Sequence, residues 1–316
     1  MQRFTITKND ADQRLDKYIS KKFPSMPSSM LYKGIRKKWI KLNGKRTEPS
    51  TKLTAGDVLE CYLKDEFLVP KAKKEPCTNL TFQLQILYED ENILLIDKAP
   101  GISIHPDETE SENTLVNHLM AYLYQKKEYD PASEDTFVPA FCNRIDKNTG
   151  GIVIAAKNAM ALRTINQKIR DREISKQYLC LVHGRPQPPE GVLIGYHQKD
   201  PRQNKAIIFD QPRPGARQIR TKYRVLGTKK GLSLAEVELL TGRFHQIRAQ
   251  FAHIGHPLAG DTKYGSMAQN KGLPFRYQAL YSYRIKFNFT TPSELDYLKG
   301  REFTASKVPF TKTFYS

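Results

Sequence analysis

Cysteine is scarce in this sequence, and long apolar runs are absent. The four cysteines, Cys61, Cys77, Cys142 and Cys180, form no Cys-x-x-Cys pair, so we expect reduced thiols and neither a disulfide framework nor a zinc knuckle. No stretch of about eighteen apolar residues is present, which excludes a membrane-spanning helix of the usual length. The first residues lack the apolar core of a signal peptide. We therefore expect a cytoplasmic protein that does not bind a membrane.

The motifs that bind nucleotide cofactors are also missing. The sequence has no Gly-x-x-x-x-Gly-Lys-Ser/Thr loop and no Gly-x-Gly-x-x-Gly turn between a strand and a helix, which disfavours kinases, NTPases and dinucleotide-dependent enzymes. His253 and His256 lie close enough to suggest a metal site, but Pro257 disfavours one helix through both, and no glutamate accompanies them. We expect no cofactor and no metal ion.

Acidic side chains are too few to balance the basic ones. The 316 residues include 51 Lys and Arg but only 33 Asp and Glu, so the net charge is +18. The cations are spread along the whole chain, which excludes a polybasic tail, and 39% hydrophobic residues are typical of a folded protein. The charge therefore indicates an anionic partner, with nucleic acid as the leading class.

Residues 1–66 predict a small separate unit with a basic face. Apolar residues recur at helical spacing over residues 13–23, with Asp12 as the candidate N-cap, and Ser28 is the candidate N-cap of a second helix. The outer face of the second helix carries four cations: Lys33, Arg36, Lys37 and Lys38. Such a face can bind phosphates, although an ordinary solvated face has the same composition.

A β-hairpin and a polar linker are expected to follow. The strand at residues 40–42 leads into Asn43-Gly44, a pair typical of tight hairpin turns, and strand patterning resumes over residues 53–63. Residues 67–80 contain lysines and prolines with little apolar periodicity, which is typical of a linker.

Residues 81–290 predict a larger domain of the α+β class, followed by a C-terminal extension at residues 291–316. Continuous apolar runs at 93–96 and 151–156 are typical of strands buried on both faces. Further strands are expected at 178–182, 222–226 and 233–240, and helices at 114–124, 159–170 and 246–254. Because strands and helices alternate irregularly, the pattern favours a mixed sheet over a doubly wound parallel one.

Two segments of this domain carry candidate functional residues. The loop around Arg144, Asp146 and Lys147 precedes a buried strand, so it can present one carboxylate in a cleft while two cations attract a polyanion. An ordinary turn with local charge pairing has the same composition. The helix expected at 246–254 carries Ile247, Phe251 and Ile254 at core spacing, and Arg248 lies one residue off that stripe, where it can reach a partner.

These segments resemble the RNA pseudouridine synthase family, in the branch that modifies large-subunit rRNA. The family pattern His-Arg-Leu-Asp-Lys-Asp-Thr-Ser-Gly is approximated from Asn143 to Gly151, and Thr-Gly-Arg-x-His-Gln-Ile-Arg with Gly-His-Pro-x-x-Gly-Asp-x-x-Tyr-Gly is matched from Thr241 to Gly265. The segment Lys176-Gln177-Tyr178 and the loop from Lys98 to His105 also match. The departures from the nucleophile pattern are Asn143, Ile145, Asn148 and Gly150.

The resemblance implies a domain organisation. It implies an S4-like αβ RNA-binding domain over residues 1–66, supported by Arg-Leu-Asp at 14–16, the basic second helix and the Asn-Gly-Lys turn. A linker at 67–80 then leads to a catalytic domain at 81–290 with the pseudouridine synthase fold, which is α+β with a mixed, largely antiparallel sheet.

The resemblance also implies roles for individual residues. Asp146 corresponds to the nucleophile, and Arg248 to the arginine that pairs with it and favours its ionised form. Tyr178 corresponds to the active-site tyrosine, whose ring can stack on an extruded base and whose hydroxyl can help to remove the C5 proton. Arg144 corresponds to the residue that replaces the flipped uridine, and Lys147 is expected to contact RNA.

The resulting expectation is a monomeric enzyme that isomerises specific uridines, in 23S rRNA rather than tRNA, without a cofactor. Two alternatives stay open at this point. One is a non-catalytic RNA-binding or ribosome-assembly factor with the same fold, and the other is a nucleic-acid glycosylase that also flips a base and uses a carboxylate.

Overall fold

The computed structural model describes residues 1–72, 84–106 and 110–315. Cys77 and most of the predicted linker at 67–80 lie outside the described residues. The chain divides into two compact units. The first consists of Met1–Phe82, Asn117–Ala140 and Ala156–Arg163, and the second of Gln83–Val116, Phe141–Ala155 and Thr164–Ser316. No helix within the described ranges is long and apolar enough to cross a membrane.

The first unit contains a small antiparallel sheet and two helices near its N-terminus. Its elements are β1 (Gln2–Thr5), α1 (Leu15–Lys22), α2 (Ser28–Arg36), β2 (Ile40–Leu42) and β3 (Val58–Cys61). The strand order is β1–β3–β2. Leu15, Ile19 and Phe23 of the first helical segment pack with Ile35 and Leu59 in one core, which confirms the helical spacing read from the sequence.

Neither expected side-chain N-cap forms in this unit. The N-cap of α1 is Arg14 rather than Asp12, and the N-cap of α2 is Pro27 rather than Ser28. Backbone carbonyls replace the side-chain cap of α1, because the amide groups of Leu15 and the next residue donate to the carbonyls of Thr51 and Pro49 at 2.8 and 3.0 Å. A distant segment therefore caps this helix, and a local sequence pattern does not contain that information.

The second unit is built on one large mixed sheet. The strands that follow β3 in the chain are β4 (Ile86–Glu89), β5 (Ile93–Lys98), β6 (Ala140–Phe141), β7 (Gly150–Ala156), β8 (Ile174–His183), β9 (Glu190–Asp200), β10 (Lys205–Phe209), β11 (Arg217–Lys229), β12 (Leu232–Leu239), β13 (Leu280–Phe287) and β14 (Glu302–Thr304). The order across the sheet is β10-β9-β11-β12-β8-β13-β7-β5-β4, with β6 beside β7 and β14 beside β13. The pairs β10–β9, β9–β11, β11–β12, β12–β8, β8–β13, β13–β14 and β4–β5 are antiparallel and the β13–β7 pair is parallel, so the α+β, largely antiparallel expectation is confirmed.

The remaining helices are α3 (Leu115–Gln125), α4 (Ala159–Arg170), α5 (Gln246–His253), α6 (Met267–Asn270) and α7 (Pro309–Tyr315). Helix α5 packs on the sheet through Ile247 and Phe251, which share a core with Val182 and Val237. Ile254 was expected in this core but is 38% exposed, because α5 ends at His253 and the chain turns away there.

A close backbone approach requires glycine where β7 meets β13. Gly151 has φ +114°, a conformation that residues with a Cβ rarely adopt. A Cβ at this position would lie 2.2 Å from the carbonyl oxygen of Ser282. Close packing of β7 against β13 therefore requires the Gly-Gly pair at the start of β7, which directly follows the Asp146 loop.

Replacing Gly151 with alanine is expected to lower the free energy of unfolding by about 3 kcal/mol or more, since the backbone of β13 must move. Gly231→Ala is the matched control. Gly231 also has positive φ, +76°, but a Cβ added there would have no other atom within 4 Å, so only the left-handed backbone cost of about 1–2 kcal/mol applies. Urea unfolding of both variants measures the difference, and equal losses would contradict the close-approach argument.

Candidate active site

The loop that carries Asp146 is fixed through its backbone. The amide of Thr149 donates to the Asp146 carbonyl at 3.0 Å and closes a tight turn. The carbonyl of the next residue, Lys147, accepts from the Gly101 amide and from the Lys98 Nζ, both at 2.9 Å. The side chain of Asp146 is 25% exposed. The carboxylate thus projects from an anchored turn into a partly open space.

Lys98 is a buried cation that joins two loops. It is 1% exposed, and its Nζ also donates to the carbonyls of Ala99 and Ile102 at 2.9 and 3.0 Å. Three carbonyl acceptors match the three N–H groups of an ammonium ion. Burial lowers the pKa of Lys98 to about 7, and the negative charge of Asp146 opposes part of that shift.

Arg248 connects Asp146 to a second carboxylate. Its Nη1 donates to Asp146 Oδ2 at 3.0 Å, while Nε and Nη2 donate to the two oxygens of Asp261 at 2.7 and 3.0 Å. Asp261 is fully buried. Burial alone would raise the pKa of Asp261, but the hydrogen bonds and charge of Arg248 hold it below its ordinary value. The buried Arg248–Asp261 pair therefore fixes the direction in which Arg248 Nη1 points toward Asp146.

The turn before α5 is closed by Gln246. Its side-chain oxygen accepts from the Thr241 hydroxyl at 3.0 Å and from the Arg243 amide at 3.1 Å. His245, the N-cap of α5, has left-handed backbone geometry at φ +52°. This geometry turns the imidazole toward Asp146, with Nε2 3.6 Å from Oδ2. Burial is the main reason that the pKa of His245 falls to about 4.

Tyr178 lies on β8 and borders the same space. It is 4% exposed. Burial raises the pKa of its phenol well above the ordinary value; Ser282 opposes that shift and the charge of Asp146 adds to it. The hydroxyl therefore stays protonated at neutral pH.

These side chains surround one open cleft with about 360 Å³ of empty space. The residues that line it are Arg144, Ile145, Asp146, Thr149, Tyr178, Leu239, Arg243, His245, Gln246, Ile247, Arg248 and Leu280. A carboxylate, an aromatic ring and cations at the rim can hold a planar base and its sugar while the carboxylate acts as nucleophile or base. Among the described residues, no group of three or more His, Cys, Asp or Glu is arranged to hold a metal ion.

The structure brings together four of the residues selected from the sequence, Arg144, Asp146, Tyr178 and Arg248. Lys147 is exposed beside them but does not line the cleft. The four cations of the predicted basic helix, Lys33, Arg36, Lys37 and Lys38, belong to the first unit and are all exposed. The helical placement of the last two was wrong, because α2 ends at Arg36 and Lys37 and Lys38 follow it. Burial and the charge of Arg144 lower the pKa of His105, which is partly buried.

Sequence reasoning did not assign roles to His245, Asp261 and Tyr264, which complete the site. All three are fixed positions of the motif matched between Thr241 and Gly265, so the signal was present. The motif does not show which of its residues contact one another. In the structure, His245 Nδ1 lies 2.9 Å from the Tyr264 hydroxyl, and the Arg248 guanidinium lies 5.1 Å from the Tyr264 ring centre.

Comparison with known proteins identifies the family. The profile described as RNA pseudouridylate synthase matches residues 92–253. A relative from Mycoplasma genitalium, named as an uncharacterised RNA pseudouridine synthase, is 31% identical over 90% of this chain and 88% of its own length. A ribosomal large subunit pseudouridine synthase C from Buchnera aphidicola is 31% identical over 82% of this chain and 79% of its own.

Two solved human structures support the fold. RNA pseudouridylate synthase domain containing 1 aligns with a TM-score of 0.53 at 21% identity, over 74% of this chain and 95% of that chain. RNA pseudouridylate synthase domain containing 4 aligns with a TM-score of 0.55 at 19% identity, over 72% of this chain and 90% of that chain. The family match, the relatives and the fold agree, and this chain belongs to the RNA pseudouridylate synthase family of isomerases.

Proposed function

We propose that this enzyme converts specific uridines of 23S rRNA to pseudouridine, with Asp146 as the nucleophile. The observation that carries the proposal is the placement of the Asp146 carboxylate, which is 25% exposed in the cleft and held on one side by Arg248 at 3.0 Å. The reaction breaks the bond between uracil N1 and the sugar C1′, rotates the base and joins C5 to C1′. It is an isomerisation, so it needs neither an oxidant nor an energy source.

An ionised carboxylate suits this chemistry because it can attack the sugar or the base and later leave. Arg248 donates two hydrogen bonds to Asp261 and one to Asp146. It can therefore orient the proposed nucleophile while the rest of that carboxylate stays open to the cleft. In the last step C5 loses its proton, and the released proton balances the one that N1 gains.

Tyr178 is proposed to stack on the extruded uracil. Its ring borders the cleft, and aromatic stacking favours a base removed from its helix. Because burial keeps the phenol protonated, its hydroxyl can take up the C5 proton only as it releases its own proton to water in the open cleft, and removal by a phenolate is disfavoured. Arg144, exposed at the rim, is proposed to fill the space that the flipped uridine leaves.

The choice of large-subunit rRNA is supported by relatives named ribosomal large subunit pseudouridine synthase C, which are 30–31% identical to this chain. The net charge of +18 suits a long structured RNA. We further propose that residues 1–66 act as an S4-like RNA-binding domain and that its exposed cations, Lys33, Arg36, Lys37 and Lys38, contact phosphates.

Asp146→Asn is expected to abolish turnover while RNA affinity changes less than about threefold, since the amide keeps the shape but not the nucleophilic charge. Tritium release from uracil C5 measures turnover on bulk 23S rRNA and on bulk tRNA. Asp210→Asn is the control, because this 80% exposed carboxylate lies outside the cleft.

Release from 23S rRNA alone, lost in Asp146→Asn and kept in Asp210→Asn, is the expected result. Turnover by Asp146→Asn would refute the nucleophile. Release from tRNA alone would refute the rRNA target. Binding of rRNA with no release from the wild-type enzyme would favour an assembly factor, and free uracil as the product would favour a glycosylase.

The double variant Arg36→Gln, Lys37→Gln is expected to weaken rRNA binding and to reduce the salt dependence. Loss of two phosphate contacts lowers the slope of log affinity against log salt by about 1.4–1.8. Lys299→Gln, Lys307→Gln is the control with the same charge change on exposed lysines. Equal slopes for the two double variants, measured by filter binding, would contradict a phosphate-binding role of Arg36 and Lys37.

A further inference from the structure

The Asp146 carboxylate has a second neighbour whose role follows from a chain of hydrogen bonds. His245 Nε2 lies 3.6 Å from Asp146 Oδ2, which is longer than a hydrogen bond but close enough for an N–H dipole to act on the carboxylate. The other ring nitrogen, Nδ1, lies 2.9 Å from the hydroxyl oxygen of Tyr264. That same hydroxyl oxygen accepts the backbone N–H of Ala206 at 2.7 Å. The direction of these bonds decides which imidazole nitrogen carries the proton.

A tyrosine hydroxyl has one proton to donate. The Ala206 amide already donates to the Tyr264 oxygen, so among the described contacts of this hydroxyl its proton finds an acceptor only at His245 Nδ1. Nδ1 is then the acceptor, so the neutral imidazole carries its proton on Nε2. The opposite tautomer would place two N–H donors on one hydroxyl oxygen and turn the bare lone pair of Nε2 toward a carboxylate.

The surroundings keep this imidazole neutral. The titratable or charged groups around it are Asp146, Arg248, Asp261, Lys263 and Tyr264, and Lys199 lies 4.7 Å from the ring of Phe244, on which His245 stacks at 3.7 Å. Burial has the largest effect and lowers the pKa of His245 to about 4, with Arg248 and Lys263 in the same direction and both carboxylates opposed. A neutral ring needs the correct tautomer in order to donate to Asp146.

We propose that His245 is a positioning residue for the nucleophile, set by Tyr264 to present Nε2–H to Asp146 Oδ2. This inference rests on the proposed role of Asp146. Arg248 also binds Oδ2, so among the described residues the guanidinium and the imidazole face the same carboxylate oxygen. Two donors on one oxygen leave Oδ1 turned toward the substrate, so Oδ1 is the attacking atom.

Two amide substitutions separate this role from a structural one. His245→Gln has an N–H that can reach the position of Nε2, whereas the shorter Asn side chain reaches only the position of Nδ1. The backbone conformation favours the other variant, because asparagine tolerates the left-handed geometry at φ +52° better than glutamine does. If His245 positions Asp146, the Gln variant is therefore expected to retain more turnover than the Asn variant. If His245 is only a structural N-cap, the Asn variant is expected to retain more.

For turnover of 23S rRNA, kcat of His245→Asn is expected to fall about tenfold, the worth of one hydrogen bond to a charged group, because the 3.6 Å contact is expected to shorten to hydrogen-bond distance in the substrate complex. His245→Gln is expected to stay within about threefold of the wild type, and KM is expected to change less than about threefold in both. The proposal would be overturned if kcat of His245→Asn equalled or exceeded that of His245→Gln. It would also be overturned if the variants changed only KM. No turnover by the wild-type enzyme would instead overturn the proposed function.

A second measurement tests the tautomer without any activity. Nitrogen-15 NMR of the free enzyme distinguishes Nε2–H from Nδ1–H, and His245→Gln identifies the signals of His245 among the seven histidines. The expected result is the Nε2–H form, still neutral at about pH 5 because the pKa is near 4, with altered shifts in Tyr264→Phe. An Nδ1–H tautomer, or a Tyr264→Phe spectrum identical to the wild type, would overturn the relay.

Discussion

One guanidinium shared between two carboxylates organises this active site. Asp261 has no exposure to water, and a buried carboxylate needs a partner to stay charged. Arg248 supplies that partner with a two-donor fork, and breaking such a buried pair costs about 3–5 kcal/mol. The third donor is therefore held toward Asp146 as a consequence of folding. Asp146, the proposed nucleophile, is oriented by a donor whose position is fixed mainly by the Arg248–Asp261 pair.

Tyr264 extends this organisation to the second neighbour of Asp146. Its ring lies beneath the Arg248 guanidinium, and its hydroxyl reaches His245. Its backbone amide, together with that of Lys263, donates to Asp261. A single short turn after Gly260 thus supports both groups that contact the carboxylate, which explains why aspartate and tyrosine occur three residues apart there.

The sequence was most informative where one local rule determines the structure. The continuous apolar runs of β5 and β7 are typical of strands buried on both faces and were predicted as such, and helix α4 was predicted with its observed bounds. Strand β9 was missed because Val192 and Ile194 are 41% and 57% exposed, so its alternation does not mark a buried face. Strand β13 was missed because Ser282 is buried between neighbouring strands, a position set by pairing. Similarly, the site motifs identified Asp146 and Arg248, but the contacts of His245 depend on residues that only the fold brings together.

The anchoring of the Asp146 loop has a consequence for how its sequence can vary among related enzymes. Lys98 and the Gly101 amide both hold that loop by the carbonyl oxygen of Lys147, and every residue type supplies the same carbonyl. The exposed side chain of Lys147 can thus vary while the path of the chain is preserved. The departure from the family pattern at Asn148 lies beside this anchor, whereas Gly150 is fixed by packing, because a Cβ there would lie 2.4 Å from the Tyr281 ring. A divergent loop sequence and an intact catalytic geometry are therefore compatible in this enzyme.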